Sequence, residues 1–184
     1  MITGNIIGIG GRSMFLRLST VLLLVAVALP GFVTASHAGT YPIGDKPIAV
    51  ITIPESWKVK DIDRGLQAST KDDEVYFWAE IYPADGLNDI MAEHDAYYAK
   101  QKVDVGKEDP KTQVIKVNGV DAVLMHIVSP TWKGQPTVLE YVLFDPARKT
   151  GRKLLLSYWA SPEGDKLYEA DLNGMLASVK FKAE

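Results

Sequence analysis

The chain has 184 residues, 47% of them hydrophobic and 23% charged, with a formal net charge of −3; that balance excludes a disordered or collagenous chain. It contains no cysteine, which removes disulfides, cysteine zinc sites, thiol nucleophiles and a lipid-modified cysteine together. Twenty Lys plus Arg against 23 Asp plus Glu leave no basic excess to hold nucleic acid, so none is expected as a partner.

Residues 1–38 read as a removable export signal. Arg12 and Arg17 lead into an apolar run from Leu18 to Leu29, Pro30 and Gly31 break it, and Ser36 and Ala38 fit a cleavage site before Gly39. The run is well short of the ~20 residues a membrane-crossing helix needs. The expectation is a periplasmic or secreted protein with no stable membrane insertion after cleavage; an uncleaved anchor is the alternative. Met14 is a second possible start that leaves the same mature chain. What remains, residues 39–184, has lost two arginines and no acids, and is long enough for one domain with its own core.

Within that domain, Ile48 to Ile53 is β-branched and stopped by Pro54, and Trp57 opens a second extended piece. Leu66 to Thr70 and Val75 to Tyr82 form a predicted hairpin around the charged Lys71-Asp72-Asp73-Glu74, ending at Pro83. A helix follows, capped by Asp85 or Asn88, with Leu87, Ile90, Met91, His94, Tyr97, Tyr98 and Gln101 along one face. Four strands come next: Thr112 to Val117, Val120 to Val128, Thr137 to Asp145 and Lys153 to Ala160, the first two joined by Asn118-Gly119. Ser161 caps a final helix with Pro162 in its first turn and Leu167, Leu172, Met175, Leu176 and Val179 as its buried stripe.

Several strands are apolar on both faces, as where Val123, Met125 and Ile127 alternate with Ala122 and Leu124, so both faces of the sheet need cover. Short turns make the sheet mainly antiparallel, of about six to seven strands, with the helices and the lead segments as lids: an α+β sandwich. Ile51-Thr52-Ile53-Pro54-Glu55-Ser56-Trp57 early, Asn118-Gly119-Val120-Asp121-Ala122 midway, then strands and a C-terminal helix resemble the PsbP-like superfamily. That group includes the extrinsic PsbP subunit of photosystem II and bacterial DcrB-like envelope proteins. The resemblance implies an α/β/α sandwich and a binding or accessory role, and it carries no catalytic residues across.

In an antiparallel pair, facing residue numbers have a constant sum set by the loop centre. A loop centred near Lys133 puts His126 opposite Glu140, and one centred near Lys149 puts Glu140 opposite Tyr158. These three polar side chains then share one row and one face. Such a row is either a binding or acid/base site or a hydrogen-bonded network that fixes strand register. Among the aromatics, Trp132 in the Ser129 to Pro136 loop is the leading candidate contact residue, or else folds back to cap the sheet end. Trp78 and Glu80 share a strand face that lines a possible groove, with Glu80 alternatively a protective edge-strand charge.

Three other patterns carry no site. Glu93-His94-Asp95 superficially resembles a phosphoacceptor segment, but His94 falls on the helix's apolar stripe and no nucleotide-binding boxes follow. Asp72, Asp73 and Glu74 lack the alternating spacing of a calcium loop, and the two histidines left after residue 38 have no zinc-ligand spacing. No cofactor or metal is expected. The function expected is therefore an exported, non-enzymatic binding or accessory module of the cell envelope, its partner a protein or small ligand. A hydrolase using His126, Glu140 and Tyr158 and a purely structural envelope protein are the alternatives.

Overall fold

Extended segments joined by tight turns lie side by side and reversed, and among the described residues every strand pairing is antiparallel. The computed structural model describes residues 38–146 and 149–183; apart from Ala38, the expected export signal lies outside them. In chain order the elements are β1 (Ala38–Pro42), β2 (Ala49–Pro54), β3 (Lys58–Ile62), β4 (Gly65–Ser69), β5 (Val75–Tyr82), α1 (Leu87–Gln101), β6 (Val103–Asp104), β7 (Lys111–Val117) and β8 (Val120–His126). There follow β9 (Thr131–Trp132), β10 (Gln135–Pro136), β11 (Val138–Phe144), β12 (Lys153–Ala160), α2 (Pro162–Leu167), α3 (Glu169–Ser178) and β13 (Lys180–Phe181).

Seven strands form the main sheet in the order β3-β4-β5-β12-β11-β8-β7. The protein is an α+β fold built on this antiparallel sheet. One face packs under α1, where Trp78, Tyr82, Leu139, Tyr141, Leu155 and Trp159 meet Ile90 and Tyr98. The opposite face packs Phe77, Ala79, Val142, Leu154 and Leu156 against Leu172 and Met175 of α3 and against Ile51 and Ile53 of the small β1-β2-β13 sheet. Cover on the α1 side stops short of β8, next to the β7 edge, where Val123 is 37% exposed; that strand is less completely buried than its two apolar faces suggest.

Both segments that carry the family resemblance tie the C-terminal helices down. The Trp57 amide donates to the Pro54 carbonyl at 3.0 Å, and its indole Nε1 donates to Asp171 Oδ2 at 3.0 Å. Asn118 and Gly119 turn the β7–β8 hairpin with φ of 49° and 83°, the left-handed pair that a two-residue turn requires. The Asn118 side chain then donates to the carbonyls of Ala177 and Val179 at 2.8 and 2.7 Å, capping the orphan carbonyls at the end of α3.

Three local expectations need correction. Gly86, with no side-chain cap bond, precedes α1 rather than Asp85 or Asn88; the Pro83 carbonyl closes the turn by accepting from the Gly86 amide at 2.9 Å. Ser161 does cap α2, accepting from the Gly164 amide, but the C-terminal helix breaks at Tyr168. There the ring packs edge-on against Trp57 at 5.8 Å and the hydroxyl donates to Asp72 at 2.8 Å. The break shifts the helical phase, and Leu167, expected in the buried stripe, is 69% exposed. The acidic β4–β5 tip is correspondingly more than a solvated turn, since Asp72 receives Tyr168 and Glu74 accepts from the Ser161 hydroxyl.

Burial has a direct consequence for alkaline stability. Desolvation pushes the phenols of Tyr98, Tyr141 and Tyr158 well above their ordinary value, whereas unfolded tyrosines ionise near ~10. The folded state holds protons that the unfolded state releases. Their contribution to stability is therefore fully present below pH ~10 and is lost as pH rises beyond it. Phenolate absorbance followed alongside circular dichroism should show these hydroxyls ionising only as the fold is lost; ionisation of all eight tyrosines with the fold intact would contradict this.

Candidate functional site

The strand register places His126 opposite Glu140 and Glu140 opposite Tyr158, as the loop centres predict. Because side chains alternate along a strand, all three project on the α3 side, with Phe77 the next member of the row on β5. His126 Nδ1 lies 2.9 Å from Glu140 Oε1. The Tyr158 hydroxyl donates instead to Asp165 Oδ1 at 2.9 Å, in the first turn of the helix that directly follows β12. Burial first, then the Glu140 and Asp165 carboxylates, hold that phenol in its protonated form.

The row is not sealed. Glu140, Tyr158, Leu172 and Asn173 line an outer cleft of about 370 Å3 with Asp165, Lys166 and Glu169. The same four residues also line an inner cavity of about 130 Å3, walled by Phe77, Leu124, Val142, Leu156 and Leu176. A polar rim thus sits over an apolar chamber between the sheet and α3, the common plan of a small-ligand site.

Trp132 folds back. Its Nε1 donates to the Gln101 carbonyl at 3.1 Å, its ring meets Trp159 edge-on at 5.2 Å, and Lys133 Nζ stands 4.7 Å from the ring centre. Trp78 is 7% exposed, buried rather than offered to solvent, because α1 lies across it and brings Tyr97 and Tyr98 edge-on to its indole. Glu80 is no edge-strand charge, since β5 is an interior strand and Glu80 is 4% exposed.

What holds Glu80 there was hidden in the sequence. Its Oε2 lies 2.5 Å from His94 Nε2 and its Oε1 3.3 Å from Arg64, while His94 Nδ1 faces the Tyr98 hydroxyl at 3.3 Å. Arg64 also grips Glu93 through two contacts of 2.5 and 3.1 Å; these bonds raise the guanidinium pKa and lower that of Glu93. The pair of signals was a lone acid in the apolar Val75–Tyr82 strand and a lone histidine on the apolar stripe of α1. Trp78, Glu80 and His94 meet Ile62, Arg64 and Tyr97 around a pocket of about 140 Å3, so Trp78 and Glu80 do line one cavity, with charges already committed to one another.

No family model matches the chain, and no curated protein matches it in sequence. Among solved structures, cyanobacterial PsbP (CyanoP) from Synechocystis sp. PCC 6803 aligns over 85% of this chain and 99% of its own, with TM-score 0.55 and 7% identity. The shared feature is a PsbP-like fold. A protein from Bacteroides thetaiotaomicron VPI-5482 aligns over 79% of this chain and 49% of its own at 12% identity, with TM-score 0.48, too low to add to the argument. At such identities the likeness speaks for the fold alone. No helix among the described residues is long and apolar enough to cross a membrane.

Proposed function

We propose that the chain is an exported, non-enzymatic accessory module of the cell envelope that binds a small ligand in the cleft between its sheet and α3. Export is supported by the Arg-flanked apolar segment and small-residue cleavage pattern of residues 1–38. The observation that carries the binding reading is the continuity of Glu140, Tyr158 and Asn173 from the polar rim into the apolar chamber.

The hydrolase alternative is weaker because the Tyr158 hydroxyl spends its hydrogen on Asp165. It is not available to stabilise negative charge developing beside His126 and Glu140. Two measurements test the proposal. The protein recovered from the envelope fraction of its producing cell should begin at Gly39. A fragment set of mixed charge, followed by methyl shifts in the intact protein, should yield hits that cluster on Leu124, Leu172 and Leu176. Hits confined to other surfaces, or none at all, would overturn the binding site.

A further inference from the structure

Resting on that binding reading, we infer that the cleft takes a compact amphiphilic amine: one benzene-sized apolar group in the chamber and a protonated amine at Glu140. The inner cavity, at about 130 Å3, is close to the roughly 150 Å3 apolar cavity that accepts benzene. Its walls are mainly aromatic and aliphatic, from Phe77, Leu124, Val142, Leu156, Leu172 and Leu176, with Ser157 the polar residue among them away from the rim. A group of that size gains most of its binding by leaving water.

The rim decides the head group. Of the charged residues around the outer cleft, Glu140, Asp165 and Glu169 are acids and Lys166 is the single base, so the field at the chamber mouth favours a cation and repels an anion. The hydroxyl that would otherwise attract an anion, that of Tyr158, points its hydrogen at Asp165. Glu140 is held in place by His126 at 2.9 Å and lines both compartments, which puts a carboxylate where a head group emerges from the chamber. Size and charge are independent observations, and together they select an arylalkyl or short branched alkyl amine over a fatty acid, a sugar or an inorganic anion.

Benzylamine, benzyl alcohol and benzoate share one apolar group and differ in head charge, so they separate the inference from the reading beneath it. Titrated into the intact protein, benzylamine should shift the methyl signals of Leu124, Leu172 and Leu176 saturably, with benzyl alcohol weaker and benzoate weakest. Glu140→Gln, which keeps a hydrogen-bonding group for His126, should weaken benzylamine about tenfold while leaving benzyl alcohol within about twofold. Leu176→Trp, with its fold checked by circular dichroism, should abolish the shifts from all three by filling the chamber. If benzyl alcohol or benzoate binds there as tightly as benzylamine, or if Glu140→Gln weakens all probes alike, the cationic preference is wrong and the binding site stands. If no probe and no fragment of any charge reaches these leucines, inference and binding reading fall together.

Discussion

Replacing Glu80 with leucine is expected to cost about 3–5 kcal/mol of stability, the usual penalty for removing one partner of a buried charged or strongly hydrogen-bonded pair. Glu80 and His94 are 4% and 7% exposed, so neither can fall back on water. Without the carboxylate, His94 Nε2 loses its 2.5 Å partner and Arg64 keeps only Glu93 on the exposed side of the network. An exposed ion pair of that kind contributes at most about 1 kcal/mol, so Arg64 cannot compensate. Adding His94→Leu should recover most of the loss, because a buried polar pair replaced as a unit by apolar side chains is often neutral. Urea unfolding of both single variants and the double variant measures the coupling. A double variant destabilised by the sum of the two single losses would show that His94 and Glu80 do not depend on each other.

Trp159→Ala should be comparably severe, at about 3–5 kcal/mol for deleting a buried indole. Trp159 is 1% exposed and stands at the hub of the aromatic layer under α1. Its ring centre lies 4.6 Å from Tyr76, 5.2 Å from Trp132, 5.8 Å from Tyr98 and 6.1 Å from Trp78. Each such pair adds about 0.5–1.5 kcal/mol beyond area burial, and no one neighbour can fill the gap without leaving the others. Trp159→Phe should be far milder, at about 1–2 kcal/mol, since it keeps a ring in the hub. It also removes an indole N–H that is buried without a hydrogen-bond partner, a donor whose burial already carries a penalty. Thermal unfolding followed by backbone circular dichroism reads both variants, and an alanine cost below about 1.5 kcal/mol would mean that the layer collapses around the vacancy.

His126, Glu140 and Tyr158 could be aligned from the sequence because hairpin register is a local property. Two loops of nearly symmetric length fix it, and the period of two along a strand then assigns the face. The same locality made the strands legible, Lys153–Ala160 with both ends in place, together with the Ser161 cap, whose side chain bonds within its own first turn. Sheet type and the apolar demand for cover on both faces likewise follow from pattern in short stretches of chain.

Everything that depends on how a helix crosses the sheet lay beyond that reach. Whether His94 meets Glu80, whether Trp78 is roofed by Tyr97 and Tyr98, and where Trp132 comes to rest depend on the placement of α1. Apolar periodicity selects the face of a helix that turns inward but not its position or angle over the strands. The break at Tyr168 is similar, since it is held by Trp57 and Asp72 from distant parts of the chain. The sequence by itself determined the rows of the sheet, because neighbouring residues set them. Only the tertiary structure decided what stands above each row, because that choice is made by packing between segments that no local spacing connects.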